Sequence, residues 1–484
     1  MAHPSSASRS FLVLSDMHLG SDIAEGASFR PPARSESVDD DLRALLDHYR
    51  SAPADGDPWH LIINGDFIDF IGISIDATGA AVSTEPSAEE RAHGLGTSED
   101  HARVKLARVA ERHHAVFASL AAFVAAGHRL TIVPGNHDRE FHWSGVKEDL
   151  KALLLGAAIA PGAAEPPDAR DFLARIQFSP WFFWVEGVAY VEHGHQYDSF
   201  CATEHVIAPL SPLDPSRLSS GFTEVLLRFI VQPTRGLRQV GHDKMGLIDY
   251  IALAFRLGVR GGIDLATRFV RAVVELFRLR RSSLGAAGKA LRAEYERHLS
   301  LLADAVRIDH DRLSALARLQ APPVTRSIHG ILASVLLDKL ALALVSGLLL
   351  LVLGMHGFRG GYVPWVIALV LPAWWLAHRQ LGRARQVDPQ NELIARAGPL
   401  SQLFPAAFVV MGHTHVPVRA PIGEGRATYI NTGSWAEEAG ERPDAPIAHR
   451  AARTHLVIRV GEAGPEAELL AWDSRLGPRS FAKD

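Results

Sequence analysis

The chain has 484 residues, a formal net charge of -4 at pH 7 and a single cysteine, Cys201. A chain of this length is longer than a typical domain with a single hydrophobic core. Its net charge does not indicate a basic surface that binds nucleic acid. One cysteine excludes an intramolecular disulfide bond. We therefore expect a main domain and an additional region in a reducing compartment, and no nucleic acid as partner. The N-terminal residues lead into an apolar run without a signal-peptide core, so we expect the main domain in the cytoplasm.

Five short apolar runs each lead into Asp, Asn or His. They cover residues 11–15, 61–63, 129–134, 188–192 and 407–411, and the polar residues after them are Asp16 and His18, Asp66 and Asp69, Asn136, His137 and Asp138, His193 and His195, and His413 and His415. Short apolar runs without helical spacing indicate interior strands of a parallel sheet. The carboxyl ends of such strands meet at one edge, where ligands collect, so the sequence predicts a divalent-metal cluster there.

The segments between these runs indicate helices and loops. Residues 41–49 and 99–126 show helical spacing, and residues 71–98 favour a long loop near the strand ends. The aromatic run at residues 178–185 favours a core or edge strand, with a surface for an apolar ligand as the alternative. Four histidines in this region follow no strand, and we expect them to be solvated or on helix surfaces: His93, His101, His113 and His114.

The composition changes after residue 222. Residues 222–330 contain 18 Lys and Arg against 10 Asp and Glu, so the basic charge of the chain is concentrated there. Residues 265–281 have the pattern of a basic amphipathic helix, which suits an anionic membrane surface. A solvated helix that packs on a core is the open alternative.

Two uncharged stretches of 16 residues follow, at 340–355 and 362–377. Each would span about 24 Å as a helix, somewhat less than the roughly 30 Å of a bilayer core. Trp365, Trp374 and Trp375 fit an aromatic belt, and arginines follow the second stretch, which places both ends in the cytoplasm. We therefore predict a membrane hairpin at residues 331–378, with a buried helical pair of a soluble protein as the alternative.

The strand pattern returns near the end of the chain. Residues 428–434, 454–460 and 468–472 favour closing strands. We therefore predict one α/β domain from residues 1–205 and 400–484, interrupted by a helical insertion at residues 206–399 that contains the basic helices 222–330 and the hairpin.

The order D-x-H, G-D-x-x-D, G-N-H-D, H-G and G-H-x-H resembles that of the calcineurin-like metallophosphoesterase family. The resemblance covers residues 10–205 and 400–475 and implies a sandwich of mixed sheets flanked by helices. The place of the insertion and the segment 192–198 are most similar to the UDP-2,3-diacylglucosamine hydrolase branch, which carries a helical lid there. This chain departs from that branch at His137, where those enzymes have Arg, and its insertion is far longer.

The resemblance also implies roles for the strand-end residues. It implies that Asp66 bridges two divalent ions, with manganese favoured and iron, zinc or cobalt as alternatives. The first ion would be completed by Asp16, His18 and His415, and the second by Asn136, His193 and His413. His137 would be the catalytic histidine that stabilises the phosphate or protonates the leaving oxygen, with Asp138 fixing its tautomer. Asp69 would be an outer or turn residue.

These inferences favour a two-metal phosphoester hydrolase at the cytoplasmic membrane face. We expect its substrate to be a lipid-linked or nucleotide-lipid phosphoester, since the insertion carries basic helices and apolar stretches. A membrane-tethered phosphodiesterase, phosphatase or nuclease for soluble substrates is the first alternative. A scaffold protein with an inactive site is the second.

Overall fold

A computed structural model describes residues 10–25, 36–52, 57–77, 81–159, 167–234, 247–335, 342, 344–349, 351–352, 363–383, 388–436 and 453–481. The strands within these residues are β1 (Ser10–Leu14), β2 (His60–Asn64), β3 (Arg129–Val133), β4 (Ile176–Phe178), β5 (Phe182–Val185), β6 (Ala189–Glu192), β7 (Phe408–Met411), β8 (Val418–Ile422), β9 (Ala427–Asn431), β10 (Thr454–Gly461), β11 (Gly464–Asp473) and β12 (Gly477–Ser480). The helices are α1 (Glu36–Ser51), α2 (Ala88–His93), α3 (Glu99–Arg112), α4 (His114–Ala125), α5 (Ser144–Ala158), α6 (Ala169–Ala174), α7 (Phe222–Leu226), α8 (Leu247–Leu284), α9 (Ala286–Val306), α10 (His310–Leu319), α11 (Ile328–Ser334), α12 (Val363–Arg383) and α13 (Pro389–Leu403).

The strands form two mixed sheets. The first has the order β12-β11-β10-β1-β2-β3-β4, and the second has the order β5-β6-β7-β9-β8. Strands β1 to β4 are parallel to one another, as are β6, β7 and β9. Strands from both sides of the predicted insertion pair within each sheet, since β1 pairs with β10 and β6 with β7. The predicted α/β architecture with two mixed sheets is confirmed, while the predicted domain boundaries stay a prediction.

An apolar layer fills the space between the two sheets. Phe11 and Val13 of β1 belong to it, as does Val410 of β7 on the opposing sheet. Leu12 and Leu14 point the other way, into the core beneath α1, α3, α4 and α5, because successive side chains of a strand alternate between faces. Burying each such leucine stabilises the fold by about 1.5 to 3 kcal/mol. The result is a sandwich whose first sheet is covered by helices on its outer face.

The described part of the insertion is mostly helical from Phe222 onward. One face of α8 packs Leu265 and Leu276 against Phe222 of α7, and the same cluster reaches Ile71 in the loop after β2. The helix α8 is kinked at Gly258, whose φ of 72° lies in the left-handed region that glycine adopts without strain. The insertion is therefore packed directly on a loop that leads away from the strand ends.

The predicted membrane hairpin at residues 331–378 is not confirmed. None of the helices in the described ranges is long and apolar enough to cross a membrane. The second predicted span lies in α12, whose last turns carry Arg379 and Arg383 and whose middle contains Pro372. The apolar stretch therefore ends after Ala377. Residues 353–362 and parts of the first span lie outside the described residues.

The prediction of surface histidines is wrong for His101 and His113, which are fully buried. Nδ1 of His101 accepts a hydrogen bond from the backbone N–H of Gly96 at 3.1 Å. Nε2 of His113 accepts one from the N–H of Gly20 at 3.0 Å, and its Nδ1 lies 2.6 Å from Asp39. His113 thus satisfies a backbone group 93 positions away, and His101 satisfies one five positions before it in the loop that leads into its helix. Helical spacing reveals neither contact.

Candidate active site

The predicted strand-end residues come together where the two sheets meet. Among the described residues, seven non-glycine residues have positive φ, and five of them are predicted metal ligands: Asp16, His18, Asp66, His413 and His415. A left-handed backbone costs a residue other than glycine roughly 1–2 kcal/mol. Concentrating this strain in one cluster is typical of functional sites, where the surrounding structure holds an unfavourable geometry.

Backbone hydrogen bonds hold the first two of these turns together. The N–H of Asp16 donates to the carbonyl of Gly65 at 3.1 Å, and the N–H of His18 donates to the carbonyl of Asp66 at 2.8 Å. These bonds extend the pairing of β1 with β2 beyond the strand ends. They aim the side chains of both turns at the same point.

The first group of facing side chains comprises Asp16, His18 and His415. Nε2 of His415 lies 3.1 Å from Oδ1 of Asp16 and 3.3 Å from Nε2 of His18. Two imidazole nitrogens that face each other at this distance need a shared proton or a neighbouring cation. The group has the carboxylate and imidazole donors expected of a divalent transition-metal site.

The second group is centred on His193. Its Nε2 lies 3.2 Å from Oδ1 of Asn136 and 3.3 Å from Oδ2 of Asp66. The same Oδ2 of Asp66 lies 3.5 Å from Nε2 of His18 in the first group. Asp66 therefore sits between the two groups, where a bridging ligand has to be.

Hydrogen bonds orient the two histidines predicted for the second ion. Nδ1 of His193 donates to the carbonyl of Asn64 at 2.9 Å, so Nε2 is the ring atom that would bind a metal once its proton is released. Nε2 of His413 lies 3.2 Å from Oδ2 of Asp198, and His413 groups with Asp198 and Cys201 and not with His193. Asp198, which lies in the turn after β6, is not among the residues predicted from the sequence to belong to the site.

Motif glycines provide the space that these side chains occupy. A Cβ atom at Gly65 would collide with the ring of His193, and one at Gly135 or Gly412 would collide with the carboxylate of Asp66 or Asp16. Gly65 also has a φ of 81°. The residue types at these positions thus fit a compact set of ligands around two divalent ions.

His137 is oriented by Asp69. Nδ1 of His137 lies 2.6 Å from Oδ1 of Asp69, and its backbone N–H donates to Oδ1 of Asp66 at 2.9 Å. The prediction that Asp138 fixes the tautomer is wrong. The carboxylate of Asp138 instead accepts the backbone N–H groups of Phe67 at 2.7 Å and Gly135 at 2.5 Å, and so joins two strand-end loops.

The charges of the cluster are strongly coupled. Burial opposes protonation of His193, but Asp66 and Asp16 outweigh it and raise its pKa to about 10. Burial likewise opposes protonation of His137, whose pKa Asp69 and Asp66 raise to about 9. Burial and the neighbouring His137 instead lower the pKa of His18 to about 4. Without metal His193 therefore holds a proton against the carboxylates, and a metal that binds there has to release it.

The two mixed sheets and the strand-end cluster define an α/β sandwich enzyme with a divalent-metal centre. Residues 9–214 match the family model of the calcineurin-like phosphoesterases. No curated protein gives a significant match to the chain. The matched region is a calcineurin-like phosphoesterase domain, and the protein is a metal-dependent phosphoesterase. The nearer relationship to the UDP-2,3-diacylglucosamine hydrolase branch stays a prediction, as do the roles of the individual residues.

Proposed function

We propose that the protein is a two-metal phosphoester hydrolase that acts at the cytoplasmic face of a membrane on a lipid-linked or nucleotide-lipid phosphoester, with manganese as its metal. The observation that carries this proposal is the outer face of α8, which is an apolar stripe flanked by arginines. The packing of α8 against the loop that carries Asp69 gives further support.

The residues of the cluster suit phosphoester hydrolysis. Two divalent ions held around Asp66 would neutralise the phosphate and activate water. The side chain of His137 keeps 16% of its surface exposed while Asp69 occupies its Nδ1. Its Nε2 is therefore the atom that donates to a phosphate oxygen or to the leaving oxygen.

Four large apolar side chains of α8 form the stripe: Val259, Ile263, Val270 and Val274, each at least 60% exposed. Residues spaced three, four or seven apart lie on one face of a helix, so the four side chains form one surface. Arg260, Arg271 and Arg278 lie beside it. An exposed apolar stripe next to arginines fits the interface of an anionic lipid surface.

The opposite face of α8 is also apolar, but it is buried. Leu265 and Leu276 pack there in the cluster that includes Ile71, two residues after Asp69. A helix that lay on a lipid surface with its outer face would therefore hold the Asp69 loop close to that surface. This relation favours a substrate that is itself part of the membrane.

The helix α12 carries a second exposed apolar surface. Leu371, Trp375 and Leu376 are each more than half exposed, and the guanidinium of Arg379 lies 5.1 Å from the ring centroid of Trp375. Tryptophan and arginine side chains of this kind are common where a protein meets lipid headgroups. This surface supports the same proposal independently of α8.

The test compares vesicle binding and hydrolysis in one set of variants. Val259→Glu and Val270→Glu place charges in the stripe, while Leu301→Glu changes a leucine of α9 that is 60% exposed. We expect the α8 variants to lower cosedimentation with phosphatidylglycerol vesicles by about tenfold, and to lower hydrolysis of a phospholipid phosphoester in those vesicles. Hydrolysis of bis(p-nitrophenyl) phosphate with Mn²⁺ should be unchanged.

Equal vesicle binding by the α8 variants and the parent protein would remove the support for a membrane. Failure of all forms to hydrolyse the lipid, with rapid hydrolysis of the soluble diester, would favour the soluble-substrate alternative.

A further inference from the structure

The loop that carries Asn136 is held by a buried arginine that directly follows the G-N-H-D motif. Arg139 is only 7% exposed, and its Nε donates to the backbone carbonyl of Asn136 at 3.2 Å. Asn136 in turn presents Oδ1 to His193 in the second ligand group. The guanidinium of Arg139 therefore holds the backbone of Asn136, whose side chain is a predicted metal ligand.

The remaining donors of Arg139 reach into the region after β6. Nη1 donates to the carbonyl of Ser219 at 2.5 Å, and Nη2 donates to Oε2 of Glu224 at 2.5 Å. Glu224 is 4% exposed and lies on α7. The planar guanidinium thus connects the metal-site loop with a backbone turn and a helix of the predicted insertion.

The helix α7 is held in place by the insertion itself. Phe222 and Val225 of α7 are buried in the cluster formed with Leu265 and Leu276 of α8 and Ile331 of α11. Glu224 therefore cannot follow Arg139 independently, because its helix is anchored to the other helices of the insertion. A continuous series of contacts therefore links the buried face of α8 to Asn136 through Glu224 and Arg139.

From these contacts we infer that Arg139 and Glu224 are positioning residues for the second metal position, so that the helical insertion forms part of the metal centre's support. The inference rests on Asn136 as a ligand of that position and is independent of the lipid substrate proposed above. A purely structural ion pair would stabilise the fold and leave the two metal positions equally affected. A positioning pair affects the second position selectively.

The chain offers a closely matched control in Arg228. This arginine is also buried, and it also donates to one glutamate and two backbone carbonyls: to Glu89 at 2.7 Å, to Leu95 at 3.2 Å and to Gly94 at 2.9 Å. None of these acceptors belongs to a predicted metal ligand. Arg139→Lys and Arg228→Lys therefore remove the same type of planar donor, since lysine keeps the charge but not the fork of donors.

The experiment measures binding of Mn²⁺ to the full chain by titration calorimetry and metal analysis, together with kcat and KM for bis(p-nitrophenyl) phosphate at increasing Mn²⁺. For Arg139→Lys we expect one Mn²⁺ position with the parent's affinity and the other weakened by about tenfold or more, the range known for outer-shell changes. Excess Mn²⁺ should restore most of kcat. Arg228→Lys should bind both ions like the parent protein.

Glu224→Gln provides a second variant that keeps the shape of the side chain, and it should weaken the same position by about threefold. Two unaltered Mn²⁺ affinities in Arg139→Lys would overturn the inference. Equal weakening of both positions, or the same weakening in Arg228→Lys, would also overturn it and leave Arg139 with a general structural role. If Arg139→Lys fails to fold, unaltered affinities in Glu224→Gln decide against the inference and selective weakening decides for it.

Discussion

Nδ1 of His137 lies 2.6 Å from Oδ1 of Asp69, and this contact joins the last acidic residue of one strand-end loop to the histidine of the next. Asp69 is itself fixed, because its carboxylate accepts the backbone N–H of Gly72 at 2.7 Å. The imidazole is thereby held with one nitrogen occupied and the other available to substrate. The pair has the geometry of a general acid with its orienting carboxylate.

Replacing His137 by alanine should lower kcat by about 10²- to 10⁴-fold, the range typical of a lost general acid. Metal content should stay at the parent level, because no predicted ligand is removed. Asp69→Asn should give a smaller loss of about 10- to 100-fold, since the ring remains but loses its charged partner. Metal analysis and steady-state kinetics on bis(p-nitrophenyl) phosphate measure both effects, and loss of metal from His137→Ala would contradict the assigned role.

Asp66→Ala should abolish hydrolysis and reduce bound metal. The carboxylate lies within 3.5 Å of histidines from both ligand groups, so its removal takes a ligand from both positions. Asp41→Ala is the control, because Asp41 is also a buried carboxylate and pairs with Arg453 outside the cluster. The control should bind metal normally. Full metal content with normal turnover in Asp66→Ala would refute the bridging role.

Gly65→Ala and Gly127→Ala separate steric support of the site from backbone strain. Both glycines have positive φ, at 81° and 99°, so either alanine incurs roughly 1–2 kcal/mol of left-handed strain. A Cβ at Gly127 meets nothing within 4 Å, whereas one at Gly65 collides with His193. We expect Gly127→Ala to lower thermal stability slightly with full metal content, and Gly65→Ala to lose metal. Equal metal content in the two folded variants would show that the His193 ring has room to move.

The strand ends of the site could be predicted because each one is a local pattern. An apolar run that stops at Asp16, Asp66 or His193 is visible within about five residues, and parallel strands bring such ends together. The left-handed backbone of Asp16 and His413 is not visible in the same way, since Asp and His adopt it more often than most residues but still only in a minority of cases.

The contacts that support the ligands could not be predicted, because their partners are distant in the chain. Asp198 meets His413 across 215 positions, and Arg139 meets Glu224 across 85. No local pattern distinguishes such an aspartate or arginine from a residue in an ordinary turn. The hairpin prediction is not confirmed for a different reason. Its second span was predicted from the apolar composition of residues 362–377, but charged residues follow at once in α12, and none of the helices in the described ranges is long and apolar enough to cross a membrane.

The stability of the fold should fall in weak acid because of two buried histidines. His60 donates or accepts a hydrogen bond with Thr131 at 2.8 Å, and His455 does so with the hydroxyl of Tyr49 at 2.8 Å. Burial lowers the pKa of each to about 3 from the ordinary value of 6.5, with a further contribution from nearby positive charge. The folded protein therefore keeps both rings neutral in a pH range in which the unfolded chain protonates them.

The unfolded state binds more protons below pH 6.5, so the stabilisation by these neutral rings is present above that pH and is lost as the pH falls toward 3. Between pH 7.5 and 5.5 each histidine should lower the free energy of unfolding by about 1.4 kcal/mol. The double variant His60→Gln/His455→Gln removes both titrating groups. Over this pH interval its free energy of unfolding should therefore fall by roughly 3 kcal/mol less than that of the parent protein. Urea unfolding in EDTA at the two pH values measures the difference, with His114→Gln as an exposed control. An identical pH dependence in the double variant and the parent would show that other groups determine the acid sensitivity.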